Sequence, residues 1–353
     1  MISAARHISL VAPASSTDHS PQKDSGLVLD CRPFRAQLQK LLAERRMPSL
    51  ITETERFLFE AELLFHSFPE PLRRAVCEFK SGLSRYPFIV LSGLPTDPAL
   101  PPTPLNSRRP SMEGNLLGEV ISAAFTRALG EPFGYLQQNE GEIFEHNSPV
   151  KVHERAQSGE SSLEELFYHT DASFHPLPPD FVVLCCLRPD PERAAVTSFS
   201  ALDDILARLT PRQREVLAQP RFMAEGVEYD YDEVDVRGNR NPLVPLLRGT
   251  QERPFIFYDQ DVHRPLDPEA AEALKALDEV MEACALRVRL DAGDVALFDN
   301  RRSIHKRSPF QSHYDGTDRW CLLTYVSASR LEACTERRAP GRRRIIDMPA
   351  NVP

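Results

Sequence analysis

The chain has 353 residues, 41% of them hydrophobic and 26% charged, and a formal net charge of -9. Such a composition suits a globular protein with one large core or two modest ones. The acidic balance disfavours nucleic acid as a partner, because phosphate binding needs a basic surface; no run approaches the ~18 apolar residues of a membrane span.

Residues 1–27 are rich in Ser, Ala, His and Pro without periodicity, so a disordered tail is expected there. The first 20 residues lack the apolar core of a signal peptide, and a cytoplasmic location is expected. Phe34, Leu38, Leu41 and Leu42 then recur at helical spacing, as do Phe57, Leu58, Ala61 and Leu64. Pro69 and Pro71 are read as breaking this helical run. Residues 87–91 predict a strand ended by Ser92-Gly93. The Pro-dense stretch 94–113 predicts a loop, and residues 116–129 a helix closed by Gly130.

Beyond Gly134 short apolar runs alternate with turns. Helices are predicted over 210–217 and 267–284, and strands over 286–290, 295–298 and 320–326. Helices thus cluster early and strands dominate later. That favours a β-sandwich or barrel flanked by helices over a doubly wound sheet, whose steady β–α alternation is missing. One catalytic domain over 28–330 and a C-terminal tail over 331–353 are expected. The basic cluster Arg337, Arg338 and Arg342 to Arg344 belongs to that tail as a solvated run. The 7 cysteines contain no C-x-x-C pair. Those in apolar runs, such as Cys185 and Cys186, read as small buried hydrophobes.

The chemistry concentrates in two places. In Phe167-Tyr168-His169-Thr170-Asp171, an imidazole and a carboxylate stand two residues apart. On an extended backbone they face the same side and can meet one metal ion. Taken alone, H-x-D is a common accident. A second histidine, His305, follows Asp299-Asn300-Arg301-Arg302, and the Gly293 turn sets up a strand upstream that delivers it. Two histidines and one carboxylate form the facial triad of non-haem iron(II), which leaves coordination sites open. Zinc takes the same ligand types and is the metal alternative. Arg319, before the last strand, offers a planar fork for a dicarboxylate co-substrate. Asp315-Gly316 marks a turn that would bring that strand back beside His305. The bland alternative for Arg319 is a surface ion pair with Asp315 or Asp318.

The stretch Asp294 to Trp320 reads D-x-x-x-F-D-N-R-R-x-x-H-x-R-x-x-F, then Y-D-G-T-D-R-W. With His169-Thr170-Asp171 upstream, the chain resembles the clavaminate synthase-like branch of the iron(II)/2-oxoglutarate oxygenases, within the taurine dioxygenase-like superfamily. That branch includes bacterial arginine, asparagine and lysine hydroxylases, and the resemblance runs from about residue 134 to 326. It implies a mainly β fold with flanking helices and a double-stranded β-helix (jelly-roll) core. It implies His169, Asp171 and His305 as iron ligands, and Arg319 and Thr197 as contacts of 2-oxoglutarate. It also implies Gln138, Asp259 and Asp261 as substrate contacts, with the two aspartates meeting a basic group.

Dioxygen would be the second co-substrate, and an amino acid or its derivative the small-molecule substrate, hydroxylated in a secondary pathway. Desaturation or cyclisation are the variants of that chemistry; a zinc hydrolase or a non-catalytic jelly-roll protein are the rivals. The sequence departs from relatives acting on free amino acids at Leu323, where those often carry an arginine for the substrate carboxylate. Either another residue holds that carboxylate, or the substrate is an amide, an ester or carrier-bound. The 94–113 loop and the late helix are candidates for a lid.

Overall fold

The computed structural model describes residues 27–173, 175, 177–224, 243–250, 252–329 and 343–346. Residues 1–26 of the tail expected over 1–27, Cys334, the cluster Arg337, Arg338 and Arg342, and most of 331–353 lie outside them, whereas Leu27 is buried and accepts from the Val90 N–H at 2.8 Å. In chain order the elements begin with β1 (Val28–Asp30), α1 (Arg35–Glu44), α2 (Thr54–His66), α3 (Glu70–Lys80), β2 (Phe88–Ser92) and α4 (Leu117–Leu129). There follow β3 (Glu131–Tyr135), β4 (Glu145–Asn147), β5 (Leu166–His169), β6 (Phe181–Arg188), β7 (Thr197–Ala201), α5 (Leu202–Arg208) and α6 (Pro211–Leu217). The chain closes with β8 (Phe222–Ala224), β9 (Leu247–Gly249), β10 (Pro254–Ile256), β11 (His263–Pro265), α7 (Pro268–Cys284), β12 (Leu286–Val288), β13 (Val295–Asp299), β14 (Ser303–Arg307), β15 (Trp320–Ser327) and β16 (Ile345–Ile346).

Two sheets face each other. The larger runs β1-β2-β13-β6-β15-β3-β16, with β4 also paired to β15; the smaller runs β12-β7-β14-β5. The central strands β6, β13 and β15 are buried at nearly every position because both faces of the larger sheet are covered. On β6, Phe181, Val183, Cys185 and Leu187 join the core shared with α2, α3 and α4. Val182, Leu184 and Cys186 point the other way, toward Phe199 and Val288 of the smaller sheet. On β15, Trp320 and Leu322 face the helices while Cys321, Leu323 and Tyr325 face inward. A third core joins α5, α6 and α7 to the outside of the smaller sheet. The chain is mainly β with flanking helices, as expected.

Several local expectations are corrected. The helical run does end before the prolines, with α2 stopping at His66, but Pro69 and Pro71 also start a further helix, α3, at its N-cap and first turn. A proline there lacks only an N–H that has no intrahelical partner. His305 does not hang from the end of β13; it lies within its own strand, β14. Nor does β15 return beside β14: it pairs with β6, β3 and β4 in the opposite sheet. Residues 308–319 therefore cross between the sheets. Part of the expected C-terminal tail is structured, since β16 adds parallel to β3. Arg344 is not solvated there; it pairs with Glu55 and Glu131 at 2.7 Å each.

The Pro-rich loop is clamped rather than free to close. Arg188 donates to Pro101 O at 3.0 Å and Thr103 Oγ1 at 2.6 Å. Arg109 forms a two-point ion pair with the fully buried Glu119 on α4.

Candidate active site

His169 is the last residue of β5 and lies directly across from His305 on β14. Their ring centroids are 4.2 Å apart. Asp171 follows at a turn where Ala172 takes a φ of 49°. The donor atoms of His169, Asp171 and His305 all lie within 4.8 Å of one another. His305 Nε2 stands 3.6 Å from Asp171 Oδ2, too long for a hydrogen bond and suited to two ligands of one ion.

Second contacts orient these groups. The His169 Nδ1–H donates to Phe167 O at 2.7 Å, which leaves Nε2 as the lone-pair donor. Asn300 holds the Asp171 backbone from both sides, accepting from its N–H at 2.8 Å and donating to its carbonyl at 2.9 Å. Phe298 and Phe199 pack against the His305 ring.

Burial pushes the Asp171 carboxyl up, opposed by His169 and by a hydrogen bond from Tyr325. Burial, and then His169, hold His305 well below the ordinary imidazole value. A neutral imidazole and a carboxylate in need of a cation are what a divalent metal takes. Asp171 Oδ2 is buried without a hydrogen-bond partner, so the donor set fits such an ion.

The three residues line a cavity of about 300 Å³ that also includes Gln138, Thr197, Asp259, Asp261 and Arg319. All eight residues singled out in the sequence therefore meet in one place. Arg319 is only 8% exposed, and no described carboxylate pairs with it. Asp318 instead accepts from the His313 and Tyr314 backbones, and Asp315 from Thr317. Thr197 opens β7. Asp259 bridges to His169 across the backbone and accepts from the Asp261 N–H at 2.9 Å, while burial raises its carboxyl. Gln138 donates to Glu145 at 3.0 Å and to the Tyr325 hydroxyl at 2.9 Å. His175, beside the metal motif, packs at a tilt against Tyr135 and accepts from the Leu177 N–H.

Four features escaped the sequence reading. Glu145 on the three-residue β4 has no motif around it, and only the fold brings it to the cavity. Tyr325 looked like an ordinary strand residue. Asn300 sits inside the recognisable D-N-R-R run, but its hold on Asp171 is not visible there. Arg307 was within reach, because it stands two residues after His305 on one strand and so shares its face. The expected lid is also corrected. Neither 94–113 nor α7 lines the cavity, whereas residues 153 and 156–160 do. Helix α7 instead supports the floor, where Asp278 accepts from the Tyr258 hydroxyl at 2.7 Å.

Comparison with known proteins agrees with this geometry. The profile of the Taurine catabolism dioxygenase TauD, TfdA family matches residues 59–325. Clavaminate synthase 2 of Streptomyces clavuligerus is 31% identical over 310 residues, 86% of this chain and 93% of that protein. The structure of asparagine oxygenase in complex with Fe(II), 2S,3S-3-hydroxyasparagine and succinate superposes with a TM-score of 0.80 at 28% identity. It covers 92% of this chain and 99% of that one. The non-heme iron oxygenase OrfP in complex with Fe, succinate and (3S)-hydroxy-L-Arg gives 0.79 at 28% identity, over 90% and 99%. The chain belongs to the TauD/TfdA family and is an iron(II)- and 2-oxoglutarate-dependent oxygenase.

Proposed function

We propose that this oxygenase hydroxylates an unactivated carbon of a cationic amino-acid derivative whose carboxyl group is carried as an amide, an ester or a carrier-bound thioester. The observation that carries the reading is Glu145. Its carboxyl is 2% exposed, its Oε1 has no hydrogen-bond partner, and it lines the same cavity as the triad. Burial pushes it up to about 8, with Asn139 and Gln138 opposing. A buried carboxyl so placed is completed by an ammonium group.

The cations of the cavity argue the other half. Apart from the two histidines of the triad, four basic side chains line it: His153, Lys306, Arg307 and Arg319. His153 pairs with Glu160 at 2.5 Å. Lys306 turns away to Glu165 and Glu282. Arg307 spends both ends of its fork on Ser161. Among the described residues, Arg319 is then the one basic lining residue outside the triad without a protein partner, and the co-substrate needs it. Glu145, Asp259 and Asp261 make the remaining wall acidic, which suits an ammonium at one end and a basic side chain at the other.

In this reading His169, Asp171 and His305 hold iron(II), and Arg319 with Thr197 receives the distal carboxylate of 2-oxoglutarate. Iron supplies the oxidising chemistry: dioxygen is split, 2-oxoglutarate yields succinate and carbon dioxide, and one oxygen atom enters the substrate C–H bond. The protein's share is placement. Asn300 fixes Asp171, Gln138 and Asn139 orient Glu145, and the two sheets, in a jelly-roll arrangement, keep water from the reacting carbon. A cytoplasmic setting fits the six described cysteines, all free thiols. Among the described residues no helix is long and apolar enough to cross a membrane.

The test is oxygen-dependent succinate release across paired substrates: basic amino acids, their amides, and their carrier-linked thioesters. Coupled release, with one oxygen added only to the blocked forms, is the expected result. Equal turnover of the free acids would sink the blocked-carboxyl reading.

A further inference from the structure

Two guanidinium groups, not one, are buried in the cavity around the triad. Arg307 is 5% exposed, and no described carboxylate pairs with it either. It stands two residues beyond His305 on β14, on the same face, and directly across from Thr197 on β7. Its Nη1 donates to Ser161 O at 2.7 Å and its Nη2 to Ser161 Oγ at 2.8 Å. The group lies 5.0 Å over the Phe310 ring. Arg307 and Arg319 line the same cavity.

Like charges buried side by side destabilise one another, and an anion that neutralises one relieves both. Arg307 is poorly placed to grip that anion, because its fork is committed to Ser161. Its charge still acts on an anion held in the cavity that it lines together with Arg319, because both groups are buried in low-dielectric interior. Ser161, in turn, directly follows the stretch 156–160 that walls the cavity.

We infer that Arg307 is a positioning residue for the co-substrate: its charge reinforces Arg319 on the distal carboxylate of 2-oxoglutarate, while its fork ties the 156–161 wall to the strand that carries His305. The inference rests on the reading of Arg319 and Thr197 as the co-substrate subsite. A purely structural arginine would matter for its shape and bonds; a charge partner matters for its charge. The two predict different behaviour for lysine at this position, which keeps the charge and loses the fork.

The experiment uses full-length protein loaded with manganese(II) as a redox-silent metal, with 2-oxoglutarate affinity measured by calorimetry for R307K, R307Q, S161A and R319Q. The charge assignment predicts a loss of about tenfold or more in R307Q, and no more than about threefold in R307K. S161A should stay within about twofold for 2-oxoglutarate, because both cations remain. Manganese affinity should be unchanged throughout. Folded R307Q with wild-type 2-oxoglutarate affinity overturns the inference, and so does R307K falling as far as R307Q. Should R307Q fail to fold, a tenfold loss in R307K overturns it and retention supports it. If R319Q keeps full affinity, the co-substrate reading itself fails. If R319Q loses affinity and R307Q does not, only the present inference falls.

Discussion

Leu323 on β15 stands directly across the sheet from Glu145 on β4. Opposed residues on one face have Cβ atoms about 4.5–5.5 Å apart, close enough for their side chains to meet. The position where a cation would serve a substrate carboxylate is thus filled by a leucine that lines the cavity. L323R should place a guanidinium beside Glu145 and the substrate. Turnover of the amide should fall, and preference should shift toward the free acid by about tenfold or more, the worth of one charge-assisted pair. The ratio of kcat/KM for a free amino acid and its amide measures this. An unchanged ratio in a folded L323R protein would remove Leu323 from the specificity argument.

Glu145 should make substrate affinity depend on pH. Its folded value of about 8 lies above the ordinary 4.5, so at neutral pH the carboxyl is mostly protonated. An ammonium group needs the carboxylate, so binding releases a proton. Affinity should rise by about fivefold between pH 7 and pH 8, reach about tenfold near pH 9 and then level off. E145Q should abolish that rise and weaken substrate binding by about 10- to 100-fold, leaving the KM for 2-oxoglutarate unchanged.

The stability effect of the same group has the opposite sign. The folded state binds the proton more tightly than the unfolded chain between pH 4.5 and about 8, so Glu145 costs stability as pH rises through that window. Substrate-free E145Q should therefore have the higher Tm at pH 9, while losing function. A lower Tm at that pH would mean the carboxylate is compensated by something other than substrate.

Asn300 should govern metal affinity without touching the metal. It makes two hydrogen bonds to the Asp171 backbone and a third to Pro179 O at 3.2 Å. N300A frees the turn that aims Asp171, and iron(II) affinity should fall by about 10- to 100-fold. Titration with iron(II) under anaerobic conditions reads this directly. D171A should abolish tight binding, and N300A should lie between it and wild type.

What the sequence made legible follows from where each residue's partners lie. His169, Asp171, His305 and Arg319 were readable because each sits in a compact local pattern. The helices α4 and α7 carry their apolar periodicity within one segment. Glu145 and Tyr325 were not readable, because their meaning depends on β4, β15 and the loop at Gln138 coming together across the chain. The pairing of β15 was misread for a related reason. Asp315-Gly316 is a true turn, with Gly316 at φ 89°, yet a turn does not say which sheet the next strand joins. That choice is made by Trp320 and Leu322, whose burial against the helices requires the larger sheet. The prolines do close α2, but α3 beyond them went unread because proline stops a helix from within and also starts one from its first turn.

The buried network behind the Pro-rich loop separates stability from catalysis. Glu119 is fully buried and accepts from Arg109 at 2.6 and 3.1 Å and from the Leu116 N–H at 2.8 Å. The Trp320 indole donates to His146 Nδ1 at 3.1 Å, which leaves the imidazole proton on Nε2, 3.4 Å from Glu119. Burial alone would push the Glu119 carboxyl up, but His146 and Arg109 outweigh it and hold it below the ordinary value. A depressed carboxyl stabilises the fold above its unfolded value of 4.5, and that contribution is lost as pH falls through the folded value. R109A leaves the carboxylate buried without its cation and should cost about 3–5 kcal/mol. The double replacement R109M/E119Q should recover most of that loss, since no unpaired charge remains. None of these residues lines the cavity, so kcat should change little at a temperature where R109A is folded. Chemical denaturation at pH 7 and pH 4 measures the cost; an R109A protein as stable as wild type at both would mean that water reaches Glu119 and the loop is not held by this pair.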